Sequence, residues 1–128
     1  MQHTRMFDNT NFPWIQSMST EIPTVGDMLR DAGYYTAYKG KWHMSDLDAR
    51  YDLTYGKYPN SIDALEHFGF SEYNFDGDPH GSTWTGYKFD QQIASEAIHW
   101  LKTKPAKLNG KPWLLAVNFV NPHDIMYF

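Results

Sequence analysis

From Trp113 to Val120 the chain reads Trp-Leu-Leu-Ala-Val-Asn-Phe-Val, almost continuously apolar and without alternation. A strand with one wet face alternates apolar and polar residues. A strand apolar on both sides belongs in the middle of a covered, parallel sheet. A helical signal stands directly before it. Asp90 is a plausible N-cap, Ile93, Ala94, Ala97, Ile98 and Leu101 form an apolar stripe at helical spacing, and Lys102, Lys104 and Lys107 crowd the end, where cations suit the helix dipole. Asn109-Gly110 then separates helix from strand.

The same order occurs earlier in the chain. Helix signals begin at Ile22-Pro23-Thr24, and Val25, Met28, Leu29 and Ala32 fall on one stripe. Gly33 supplies a left-handed stop, and Tyr34 to Tyr38, aromatic and Thr-bearing, predicts a short strand. Helix-then-strand repeated twice predicts an α/β fold, a parallel-sheet sandwich with helices on both faces. Met1 to Glu21 has no clear period. From Met44 to Lys88 order breaks down into Asp, Tyr, Gly, Asn and Pro, with one short helical candidate at Ile62 to Phe68. So long an irregular stretch is expected only where it is functional or packed on a larger body.

Parallel strands place their C-terminal ends on one sheet edge, outside which ligands of open α/β sheets bind. Gly40-Lys41-Trp42-His43 follows the first strand and Asn121-Pro122-His123-Asp124 follows the second. A lysine beside a histidine can hold an oxyanion and move a proton in one small volume. Taken singly, each tetrapeptide also reads as an ordinary turn with a solvated lysine or a turn-starting Asn-Pro. Their convergence on one edge sets a functional reading beside the structural one. Asp76-Gly77-Asp78-Pro79-His80 lacks the further oxygen ligands of a calcium loop and reads as a solvated turn. His67 and His99 have no partner at metal-ligand spacing, and neither a phosphate-cradling glycine loop nor a nucleophile elbow occurs.

Bulk numbers narrow the class further. With 128 residues the chain is long enough for one domain and one modest core. An aromatic fraction of 17% argues against disorder, and a net charge of −4 against a nucleic-acid partner, which needs a cationic face. Any anionic substrate must then be drawn by local positive charge. The chain has no cysteine, which removes disulfides, thiolate metal sites and a cysteine nucleophile from it. No window reaches the apolar length of a membrane span, and Met1-Gln2-His3-Thr4-Arg5 lacks a signal-peptide core. These features predict a soluble polypeptide with no membrane partner and leave its compartment open.

The stretch from Ile22 to His43, with Gly33-Tyr34-Tyr35-Thr36 and Gly40-Lys41-Trp42-His43 within it, resembles the second signature of the sulfatases, in the alkaline-phosphatase-like superfamily. Leu115 to Asp124 resembles the family's next active-site strand and its Pro-His end, and the likeness runs from about His3 to the C-terminus. The resemblance implies a sulfuric ester hydrolase acting on a sulfate-ester small molecule or sulfated sugar, with calcium and a formylglycine residue as cofactors. By it, Lys41 contacts a sulfate oxygen and the formylglycine hydroxyl. His43 handles the proton released when the hemiacetal sulfate collapses, and His123 holds sulfate and helps protonate the departing alcohol.

The departures are as specific as the match. The chain has neither cysteine nor Ser-x-Pro-x-Arg to supply formylglycine, nor the family's Asp-Asp before the nucleophile, nor its Asp-Asn pair and lysine that come after the Pro-His strand. Residues 1–128 are therefore expected to be a partial sulfatase catalytic domain, lacking the nucleophile motif upstream and the second metal-ligand motif downstream. Such a chain would carry part of the sulfate pocket, bind no cofactor of its own and be inactive alone. A phosphonate or phosphate-ester hydrolase of the same superfamily, or a non-catalytic anion-binding module, are the alternatives. The Tyr, Trp and His residues from Tyr51 to Tyr87 are candidates to line the alcohol pocket. Unpaired strand edges predict low stability or self-association.

Overall fold

A computed structural model describes residues 17–45, 47, 61–74, 77–79 and 83–127. The expectations placed on Asp76, His80, Met1 to Gln16 and Tyr51 to Asn60 lie outside them. Two helices and two strands carry the fold: α1 (Val25–Asp31), β1 (Tyr35–Gly40), α2 (Thr85–Thr103) and β2 (Trp113–Asn118). β1 and β2 pair in parallel, from Tyr35 opposite Trp113 to Gly40 opposite Asn118. Alternation along β1 puts the helices on opposite faces. Thr36 meets Arg30 of α1, whereas Tyr35 stacks on Trp100 and Lys39 pairs with Glu96, both of α2. The expected α/β layers are present.

The more central strand is β1, not β2. Thr36, Ala37, Tyr38 and Gly40 are buried, while β2 is only partly buried along its length. On its far side β1 meets Ser71, whose N–H donates to the Thr36 carbonyl at 2.9 Å and whose carbonyl accepts from Tyr38 at 3.2 Å. β2 has β1 as its one strand partner among the described residues. The unbroken apolar run of β2 suits a sheet with cover on both faces, and the described elements cover it incompletely.

The irregular middle of the sequence supplies much of the core. Leu65, Phe68, Phe70 and Tyr73 are buried with Met18, Tyr38 and Trp42 in one hydrophobic cluster. The helical candidate there is two separate 3-10 turns, Ser61–Asp63 and Glu66–Phe68. Gly69, left-handed at φ 74°, turns the chain so that Phe68 and Phe70 both reach the cluster. Apolar periodicity missed this segment because its core residues follow turns, not a helix.

Both helices begin and pack differently from their sequence signals. In α1 the N-cap is Thr24: its hydroxyl accepts from Gly26 and Asp27, and the Asp27 carboxylate accepts from the Thr24 N–H. Pro23 lies outside the helix. The expected stripe does not face the core, since Val25 and Met28 are each 58% exposed. Instead α1 docks through Gly26, where a Cβ would come within 2.4 Å of the Gly69 carbonyl oxygen. Arg30 completes the contact through Thr36 Oγ1 (2.9 Å), Ser71 Oγ (2.8 Å) and the Glu66 carboxylate (2.9 Å). In α2 the buried positions beyond Gly86 are Ile93, Ala97 and Trp100, spaced i, i+4, i+7, while Ile98 and Leu101 stay half exposed.

Arg30 thus replaces an apolar seam between α1, β1 and the Glu66–Ser71 segment. Arg30→Ala should lower stability by about 2–3 kcal/mol, the usual cost of hydrogen bonds lost from a charged, half-buried group. Thermal unfolding followed by circular dichroism measures it. A loss below about 0.5 kcal/mol would mean that α1 is held mainly by its glycine contact.

Candidate functional site

The C-terminal end of β1 is shaped by Gly40. Its φ of 98° and the Asn118 carbonyl oxygen, 1.8 Å from where a Cβ would sit, leave room only for glycine. Asn74, missed in the sequence, frames the same residue: its amide accepts from the Gly40 N–H and donates to the Gly40 carbonyl, each at 2.7 Å. The last ladder bond follows, from the Lys41 N–H to the Asn118 carbonyl at 2.9 Å.

Beyond this point the three side chains of the motif diverge. Trp42 is buried among Tyr38, Phe68 and Phe70, with ring centroids 5.1–6.2 Å away. Aromatic packing of this kind anchors the loop. Lys41, its neighbour, turns to the sheet edge, where its Nζ stands 2.6 Å from His123 Nδ1, across 82 positions of sequence. His43 takes a left-handed backbone, φ 57°, unusual for a non-glycine residue and costing on the order of 1 kcal/mol. Lys41 and His123 are therefore brought together by their side chains, while His43 follows Lys41 by two residues in the same loop.

With Lys41 as an ammonium, which has only donors, this contact requires His123 Nδ1 as acceptor and so assigns the imidazole proton to Nε2. The pair then offers positive charge and N–H groups, and no acceptor. Burial pushes the Lys41 ammonium below its ordinary pKa, while the Asp78 and Asp124 carboxylates pull it back up.

Three carboxylates near this edge have roles that local sequence signals misassign. Asp78 is not in a solvated turn: it accepts from the Trp42 and His43 N–H groups, each at 2.8 Å, and from the Tyr73 hydroxyl at 2.9 Å. That hydroxyl is pushed up by burial and by Asp78. Asp90 is not the N-cap of α2 but lies within it, and accepts from Val120 (2.6 Å) and Asn121 (3.1 Å) N–H groups. The cap comes from Asp124, which accepts from Gly86 N–H at 2.6 Å and Thr85 Oγ1 at 3.0 Å. α2 therefore starts five residues before the predicted cap, at Thr85.

These groups do not fit calcium. That ion takes about six to eight oxygen ligands, and the carboxylates here are engaged by backbone N–H donors around a lysine cation. Among the described residues no group of three or more His, Cys, Asp or Glu could hold a metal. A groove of about 700 Å³ lies on the α2 side of β1, lined by residues that include Lys39, Glu72, Glu96 and Lys104. Within it Lys39 pairs with Glu96 and Lys104 with Glu72, and it includes neither Lys41 nor His123. The chemistry points to the sheet edge.

Comparison with known proteins identifies a family. A family model described as Sulfatase matches residues 1–128. The chain is 27% identical over 146 residues to an uncharacterized sulfatase of Escherichia coli, YidJ, with 94% of this chain and 27% of that protein covered. It is 26% identical over 138 residues to a choline-sulfatase of Rhizobium meliloti, with 94% and 26% covered. The chain spans about a quarter of the length of these relatives. No solved structure matches at a significant level.

Replacing Gly40 tests the geometry of the edge without touching a charged group. Gly40→Ala combines a left-handed φ with a backbone clash and should cost about 2–4 kcal/mol. The Lys41 and His123 resonances should shift together in the variant that remains folded. A melting temperature within about 2 °C of the parent would show that the strand ends tolerate separation here.

Proposed function

The chain belongs to the sulfatase family, and from that premise we propose that it forms one wall of the sulfate pocket of a sulfuric ester hydrolase. The observation that carries the proposal is the 2.6 Å approach of Lys41 Nζ to His123 Nδ1 at the shared C-terminal edge of β1 and β2. A sulfate ester presents oxygens that accept hydrogen bonds and carry negative charge. The pair presents donors and positive charge, so it complements those oxygens and would repel a cation.

In this proposal Lys41 binds a sulfate oxygen and stabilises the charge that grows on it as the ester bond breaks. Losing one such preorganised donor typically costs about 3 kcal/mol in the transition state. His123 holds a second oxygen through Nε2–H; to protonate the departing alcohol oxygen it would pass on that proton while Nδ1 takes one from the Lys41 ammonium, so that no imidazolate is left. The Lys41 ammonium on Nδ1 fixes the tautomer that keeps the proton on the outer nitrogen. His43, in its left-handed turn, stands next in the loop as a further proton-handling group. Sulfate esters are the proposed substrates; the alcohol they carry is set by residues beyond this pair.

Inorganic sulfate should bind saturably to the chain, perturbing Lys41 and His123 resonances, and Lys41→Ala should weaken that binding at least tenfold. The pH dependence has a definite sign. Binding needs the ammonium form, whose pKa burial lowers from 10.5, so affinity should fall as pH rises toward that value, earlier than for a solvent-exposed lysine. Bound sulfate favours the charged form and should pull the titration partly back. Sulfate binding that survives Lys41→Ala unchanged would overturn the assignment.

A further inference from the structure

Asp78 and Asp90 make the same unusual contact at the two strand ends. Each places one carboxylate oxygen on each of two consecutive backbone N–H groups: Trp42 and His43 for Asp78, Val120 and Asn121 for Asp90. In an extended strand, neighbouring N–H groups point in opposite directions and cannot share a carboxylate. Only a chain leaving the strand in a defined turn brings them to the same side. Each carboxylate therefore specifies the turn by which a strand end delivers its functional side chain, Lys41 one residue before the first grip and His123 two residues after the second.

Neither grip is local. Asp78 stands 36 and 35 positions from its amides, and Asp90 stands 30 and 31 from its own. Both anchors are stiff. Asp78 is bonded to the hydroxyl of Tyr73, which is fully buried, and Asp90 belongs to α2, whose Ile93, Ala97 and Trp100 are seated in the core. After the Lys41 N–H to Asn118 bond, no ladder hydrogen bond among the described residues fixes how far apart the two chains run. The two grips take over there.

We propose that Asp78 and Asp90 are positioning residues that set the spacing of Lys41 and His123, and hence the oxyanion geometry, while touching neither the anion nor each other. The inference rests on the anion-holding reading of that pair. A carboxylate meets two donors at once. An asparagine of the same size has one oxygen and would turn its NH2 group toward an N–H donor, losing one bond and opposing two donors.

The sign of the effect separates positioning from simple charge. Removing a negative charge beside Lys41 should tighten anion binding by electrostatics alone, because the local potential becomes more positive. Positioning predicts the reverse. In 15N-labelled protein, His123 (assigned by its loss in His123→Ala) should show an unprotonated Nδ1 and a protonated Nε2. Asp78→Asn and Asp90→Asn, still folded by circular dichroism, should each give the averaged tautomer pattern of a released imidazole and at least about fivefold weaker sulfate binding, equivalent to about 1 kcal/mol.

A wild-type imidazole pattern in both variants would overturn the proposal, as would equal or tighter sulfate binding. If either variant fails to fold, Tyr73→Phe removes the hydroxyl that steadies Asp78 at 2.9 Å and also meets Asn74, and should produce a smaller change in the same direction. An unchanged imidazole in that variant would also overturn it. Should the parent chain bind no sulfate, the anion-holding reading fails, and the imidazole comparison alone decides the positioning role.

Discussion

Parallel pairing of β1 with β2 is the constraint on which the site depends. In parallel register, the ends of both strands fall on one edge, and Gly40 and Asn118 are partners at that edge. Were the pair antiparallel, the six-residue length of β2 would carry His123 to the opposite edge, about 20 Å away. No side-chain adjustment spans such a gap. The two aligned ends instead place Lys41 and His123 in contact although most of the sequence lies between them.

Much of this was legible in the residues themselves. The apolar run at Trp113 announced a parallel sheet, the helix-then-strand repeat announced its layers, and the two strand ends announced Lys41 and His123 as neighbours. These signals are periodic or short-range, and they survive because burial of a strand's two faces is written directly into residue type. What remained hidden was carried by side chains that reach far along the chain. Asp90 resembles an N-cap because an acidic residue precedes an apolar stripe, but the cap of α2 is supplied by Asp124, 38 positions away. Asp78 resembles a solvated turn because nothing in its neighbourhood predicts the Trp42 and His43 amides.

The stripe of α1 shows a different limit. Val25 and Met28 have helical spacing, yet the helix turns them outward and packs through Gly26 and Arg30. Periodicity identifies that a segment is helical; it does not identify which face is buried when a glycine permits closer approach than an apolar side chain would. Backbone proximity at Gly26 then lets Arg30 reach Thr36, Ser71 and Glu66 together. The polar seam follows from that close approach and not from any pattern of hydrophobic residues.

The polarity of the site follows from where its carboxylates are turned. Acidic side chains beside a cationic pair would ordinarily form ion pairs with it and cancel its attraction for anions. Here Asp78, Asp90 and Asp124 direct their oxygens to backbone N–H groups, at distances of 2.6–3.1 Å. Their charge still reaches Lys41, where Asp78 and Asp124 offset the effect of burial and favour the ammonium form. Their acceptor capacity, however, is spent on the fold. Among the described residues Lys41 forms no ion pair with an acid, and its ammonium meets His123 Nδ1, an arrangement that leaves Nε2–H as the outward donor. A lysine–carboxylate pair at the same spot would be nearly neutral and would repel an anion's oxygens. The lysine–histidine pair remains cationic, which is the charge that the proposed anion-holding role requires.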